Sequence, residues 1–214
     1  MRQLALASVI CLTLGTLFAY AQEKTEGKVT DEFRNEYIKN FHRTGLNTTA
    51  GDAMFLRILV ETSKAKRGIE VGSATGFGAI NMGIAFERNG GQLFTLDIDP
   101  EMIKATRGHI AKMGLEKTVT AIEGDALKTL AQLDGEFDFI FIDALKRDYL
   151  KYLKTIEPKL KPNALIVADN VIQSAREMKD FLDYVQNNPK NFDTVIIRSS
   201  MDKNDGMSVS YKLK

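Results

Sequence analysis

Residues 70–78 read EVGSATGFG, and the fold turns on how that stretch is read. The preceding run GIEVG (68–72) is apolar and β-branched and stops on Gly72, the pattern of a buried strand ending in a turn. Gly72, Gly76 and Gly78 follow at the spacing G-x3-G-x-G, which lets the backbone turn sharply and approach a ligand closely. A helix that opens on such a turn presents its N-terminus to a carboxylate or a phosphate. A plain strand-to-helix turn would use the same glycines. The dinucleotide fingerprint needs G-x-G-x-x-G, so the spacing disfavours a nicotinamide oxidoreductase.

Outward from that turn, strands and helices alternate. QLFTLDI (92–98), TVTAIEG (118–124), FDFIFID (137–143) and ALIVADN (164–170) read as further strands. PEMIKATRGHIAKMG (100–114) and KRDYLKYLKTIEPKL (146–160) read as helices between them. FDTVIIRSS (192–200) and GMSVSYKLK (206–214) are strands separated by a short polar turn, hence an antiparallel hairpin at the sheet's edge. The expected fold is α/β: a doubly wound, mostly parallel, seven-stranded sheet with a C-terminal antiparallel hairpin. Two amphipathic helices, in DEFRNEYIKNFHR (31–43) and GDAMFLRILVETSK (51–64), precede it.

The start of the chain differs. Residues 1–21 carry Arg2, an apolar run from Leu4 to Phe18 and then Ala19-Tyr20-Ala21, the three regions of a secretory signal peptide. Cleavage predicts an exported, periplasmic or secreted protein with no stable membrane association; an uncleaved segment would be an anchor. Residues 22–30 read as a polar tether and 31–214 as a single domain. The one cysteine, Cys11, lies in the apolar run, so a cleaved chain has no disulfide, thiolate nucleophile or Cys-based metal site. Removing Arg2 from 29 basic residues leaves 28 against 28 acidic ones, and no basic cluster. That balance argues against nucleic acid or anionic membrane as the main partner.

Ligands of open α/β sheets bind beyond the carboxyl ends of the strands. Asp97 ends the second strand, where an acid can accept both ribose hydroxyl protons; a helix cap is its plainer role, although Asp99-Pro100 suits that role better. Asp125 ends the third, beside a site for an adenine edge or as a cap. Asp143 ends the fourth, and Asp169 and Asn170 the fifth. Two carboxylates and an amide without His or Cys suit a hard cation such as Mg2+. Asp and Asn are equally at home in loops and caps, which would explain all three without a metal. Lys146, three residues past Asp143, is either its ion-pair partner or a general base whose pKa burial and a metal lower. His42 and His109 stand apart from both groups, with His109 expected on the solvated side of its helix.

Together these residues resemble the cation-dependent class I O-methyltransferases, the catechol and caffeoyl-CoA group that uses S-adenosyl-L-methionine. The resemblance rests on GDA, EVGSATGFG, LDID, EGDAL, FIDALKRDY, VADN and DGM, in order, across roughly 47–213. It implies a Rossmann-like methyltransferase fold. It implies cofactor contacts at Glu70, Gly72, Ser73, Gly78, Asp97, Asp125 and Asp143. It implies metal ligands at Asp143, Asp169 and Asn170, and a catalytic lysine at Lys146. The implied partner is a small aromatic diol, methylated on one hydroxyl, and a homodimer is left open. This chain departs from the pattern at Leu145, where relatives have an acid or an aromatic. Ser199 or Ser200 falls where relatives have an acid, with Asp202 as a substitute, and Met54 stands where they often have Gln. A metal-independent methyltransferase and a non-catalytic exported binding protein are the competing readings.

Overall fold

The computed structural model describes residues 29–214. The expected signal peptide (1–21) and tether (22–30, save its last two residues) lie outside the described residues. The described residues divide into two units after Tyr37, and the second, Ile38–Lys214, carries the whole sheet. Helix α1 (Asp31–Lys39) has Asp31 and Glu32 in its first turn and Lys39 in its last, charges that suit the helix dipole. No helix among the described residues is long and apolar enough to cross a membrane.

Helix α2 (Ala50–Ser63) leads into β1 (Arg67–Val71), α3 (Phe77–Asn89), β2 (Gln92–Asp97), α4 (Pro100–Lys112) and β3 (Val119–Glu123). Then follow α5 (Ala126–Gln132), β4 (Phe137–Ile142), α6 (Tyr149–Ile156), β5 (Leu160–Ala168), α7 (Lys179–Gln186), β6 (Phe192–Ile197) and β7 (Met207–Lys212). Asp99 caps α4 through the Glu101 N–H, with Pro100 pre-set in its first turn. The seven strands lie in the order β3-β2-β1-β4-β5-β7-β6, parallel from β3 to β5. Strands β1 and β4 are buried at nearly every position, as a sheet covered on both faces requires. Helix α3 is buried from Phe77 through Phe86.

One element differs from the reading of the sequence. The stretch 146–160 is not one helix: 3-10 turns at Lys146–Asp148 and Glu157–Lys159 flank α6, and Leu160 already belongs to β5. Pro158, which has no N–H, stops α6 from continuing. The terminal hairpin pairs with the sheet through β7, which is antiparallel to both β5 and β6, so β6 is the outer edge.

The strand order sets the site. The chain leaves β1 toward β2 and β3 and returns to the other side of β1 as β4. That reversal brings the turns after β1 and β4 together at the carboxyl ends of the strands.

Candidate active site

Gly72 is where the two turns meet. Its φ of +94° is left-handed, and a Cβ there would lie 2.2 Å from the Asp143 carbonyl oxygen, so only glycine fits. The Gly72 and Ser73 N–H groups donate to Leu96 O at 2.8 and 3.1 Å, tying the turn to the end of β2. Asp97 completes the tie by accepting from the Ala74 N–H at 2.9 Å and the Asp99 N–H at 3.0 Å. The Ser73 hydroxyl, 3.5 Å from Asp97 Oδ2, is a third and longer donor, and acceptor capacity remains for a ligand hydroxyl. Gly78 serves a different purpose: a Cβ there would come within 2.3 Å of Glu70 Oε1. Glu70 is buried beneath the turn, accepting from the Thr95 hydroxyl at 2.5 Å. Burial, then the charges of Asp143 and Asp97, push its pKa up to about 8 against the pull of Thr95. Asp125 caps α5 by accepting from the Leu127 N–H at 2.9 Å, so the cap reading of that residue holds and it still faces the cavity.

Beyond β4, Lys146 Nζ donates to Asp143 Oδ1 at 2.8 Å and to Tyr149 Oη at 2.9 Å. Tyr149 is fully buried and donates in turn to the Asp169 carbonyl at 3.2 Å. Burial and the charges of Asp143 and Asp169 hold its phenol well above the usual range, so it stays a neutral donor. Asn170 takes a left-handed φ of +61°, with its N–H on Asp169 Oδ1 at 2.7 Å and its Nδ2 3.3 Å from Asp205 Oδ2. Asp205 is buried, and backbone N–H groups of Gln173, Gly206 and Ile172 hold its carboxyl below the usual range despite that burial. Burial and the nearby Asp143 charge push Asp169 up to about 6, opposed by Lys203. Lys203 Nζ sits on both Asp169 oxygens, at 2.7 and 2.6 Å. Asp169 and Asp52 hold that ammonium charged against its partial burial, raising its pKa.

One cavity of about 900 Å³ takes in residues from both parts of this site. Gly72, Asp97 and Asp125 line one part; Asp143, Lys146, Asp169 and Asn170 line another. Glu70, Ser73 and Gly78 are not among the lining residues: they lie behind the turn and shape it. Asn47 and Thr48 do line the cavity, and Asn47 Nδ2 and Thr48 Oγ1 are buried without a partner among the described residues. Two unsatisfied donors beside the glycine turn fit an anionic ligand group. The half-exposed Leu145 lines the cavity, whereas Met54 does not. Ser199 donates to Asp52, and Asp202 pairs with Arg43 at 3.6 Å, so neither takes the place of an acid at the cavity wall. His109 is half-buried with its ring 4.5 Å from that of Phe41, not on the solvated side of α4.

Among the described residues no three His, Cys, Asp or Glu side chains form a metal-holding cluster. The predicted set of two carboxylates and an amide is of another kind, and it fits a hard cation on the chemistry of its donors. Asp169 already chelates a positive group, the Lys203 ammonium, with both oxygens. Sequence reasoning missed Asn47, Thr48 and Lys203, and quoted Asp52, Tyr149 and Asp205 only inside motifs, without a role. Tyr149, one helical turn from Lys146, could have been found from spacing; Lys203 had no local signal.

Residues 20–203 match a family described as O-methyltransferase. A catechol O-methyltransferase of Niastella koreensis is 34% identical over 139 residues, covering 63% of this chain and 62% of that relative. Caffeoyl-CoA O-methyltransferase 2 of Populus trichocarpa is 32% identical over 133 residues, covering 59% of this chain and 53% of the relative. The matched part therefore spans less than two thirds of either protein. The O-methyltransferase TomG of Streptomyces achromogenes, solved in complex with SAM, superposes with a TM-score of 0.75 at 20% identity. That superposition covers 91% of this chain and 95% of TomG, and speaks to the fold.

Proposed function

The chain belongs to the O-methyltransferase family, and on that premise we propose that it methylates one hydroxyl of a catechol-like aromatic diol. In this reading S-adenosyl-L-methionine supplies the methyl group as an electrophilic sulfonium substituent. The observation that carries it is the single cavity: Gly72, Asp97 and Asp125 share it with Asp143, Lys146, Asp169 and Asn170. A nucleoside end and a reacting end are thus within reach of one ligand pair. Asp97 offers acceptors to ribose hydroxyls, and Asn47 Nδ2 and Thr48 Oγ1 offer donors to the amino-acid carboxylate.

Asp143, Asp169 and Asn170 would hold a divalent cation such as Mg2+, which supplies the charge that makes adjacent phenolic hydroxyls acidic and orients them. Lys146, after its ammonium has given a proton to solvent, accepts the hydroxyl proton at Nζ as the C–O bond forms and the C–S bond breaks. Tyr149 keeps that nitrogen aimed at the cavity. Positioning two substrates for in-line attack contributes much of the remaining acceleration. The exposed Leu145 forms an apolar shelf against an aromatic ring.

The test is product mass after incubation with S-adenosyl-L-methionine and a catechol, with and without Mg2+. Methylated product that requires Mg2+, and is lost in Asp169→Ala, supports the proposal; metal-dependent turnover surviving in Asp169→Ala refutes it. One observation favours a second reading without a metal: Lys203 already supplies Asp169 with a positive charge. Turnover that survives EDTA would select it. The same proposal places the mature enzyme outside the cytosol after loss of residues 1–21, which N-terminal sequencing of exported protein checks. It also admits a homodimer, which light scattering checks.

A further inference from the structure

The turn between β6 and β7 carries a side chain that methyl transfer does not use. Lys203 Nζ lies 2.7 and 2.6 Å from the two oxygens of Asp169 and 3.0 Å from Asp52 Oδ2. Both carboxylates are 1% exposed, the lysine side chain 19%. The ammonium therefore hydrogen-bonds both oxygens of Asp169 and lies in ion-pair contact with Asp52. A divalent ion on Asp169 would compete for the same lone pairs and repel the ammonium across a short, poorly solvated distance.

Lys203 has a second seat. Asp52 sits at the start of α2, accepting from the Thr49 hydroxyl at 2.8 Å and from Ser199. Those bonds keep its carboxylate beside Lys203 whether or not Asp169 is shared. Without Lys203, a metal-free Asp169 would be a buried carboxylate stripped of its counter-charge, a strongly destabilising state.

We propose that Lys203 is a tethered cation: it occupies Asp169 in the metal-free protein and retreats to Asp52 when a divalent ion binds. Metal binding and the position of the 198–206 turn are thereby coupled, and Lys203 sets the metal concentration at which the site fills. The inference rests on the metal-assisted reading above, and the experiment separates the two.

Mn2+ is titrated by electron paramagnetic resonance into the full chain as wild type, Lys203→Met, Asp52→Asn and Asp143→Asn, and thermal unfolding is followed in EDTA and in Mn2+. Lys203→Met is expected to bind Mn2+ tighter by on the order of tenfold, the scale on which outer-shell groups move metal affinity. It is also expected to melt lower in EDTA and to recover in Mn2+. Asp52→Asn, lacking the second seat, is expected to bind Mn2+ more weakly by a similar factor, so the two variants move in opposite directions. Equal affinity in wild type, Lys203→Met and Asp52→Asn, with only Asp143→Asn weakened, overturns the inference and leaves the metal site standing. Absence of Mn2+ binding in all four overturns the metal-assisted reading and the inference with it.

Discussion

Glu70 makes the stability of this fold depend on pH in a direction opposite to most carboxylates. Its side chain is buried under the glycine turn, and its pKa rises from an ordinary 4.5 to about 8, chiefly through burial. In the unfolded chain the group ionises near 4.5, whereas the folded protein keeps the proton until about pH 8. Folding thus takes up a proton between those values, and stability falls as pH rises through that window by about 1.4 kcal/mol per unit. At neutral pH the accumulated penalty is about 3 kcal/mol. Glu70→Gln keeps the shape, can accept from Thr95 through its amide oxygen and needs no proton. It removes the penalty, less about 1–2 kcal/mol if the new NH2 finds no partner. The slope is the firmer readout. Between about pH 5.5 and 7.5, wild-type unfolding free energy should fall relative to the variant by roughly 2–3 kcal/mol. Urea denaturation at intervals of pH measures it. Parallel profiles for the two proteins would refute the assignment of a protonated, buried Glu70.

Three further outcomes are expected. Gly72→Ala places a Cβ 2.2 Å from the Asp143 carbonyl at a left-handed φ, and should lower unfolding free energy by about 2 kcal/mol or more in urea. Tyr149→Phe removes the hydroxyl that positions Lys146 Nζ. It should lower kcat by on the order of tenfold with KM little changed, and should move the pH–rate profile. Asp97→Ala removes the acceptors that hold the Ala74 N–H and face the cavity. At a ligand concentration L near the wild-type Kd it should abolish most of the thermal stabilisation by S-adenosyl-L-methionine, since that stabilisation follows RT ln(1 + L/Kd).

Much of the architecture was legible because its signals are local. The central strands β1 and β4 announced themselves as short, mostly apolar runs, since burial on both faces leaves no polar alternation. Asp99 announced itself as a cap through the proline after it, and Gly72 as a turn through its place at the end of a strand. Where the reading slipped, a neighbour in space overrode a local pattern. Leu160 looked like the end of a helix but pairs with Phe137 in the sheet. His109 looked solvated until Phe41 was found against it.

The residue types at the strand ends, then, were written into the chain: a glycine turn after one strand, carboxylates after the others, a lysine one step beyond. Periodicity and composition reach that far because they depend on bonds and neighbours within a few residues. Which strand ends become neighbours depends on the order of the strands, and that order is set by burial summed over the whole core. Placing β1 beside β4 puts Gly72 against Asp143; placing β7 beside β5 carries the preceding turn, and Lys203 with it, to Asp169. The contact between Lys203, Asp52 and Asp169 spans three distant segments. Charge attraction in a poorly solvated pocket holds it together, and no local pattern in the chain encodes it.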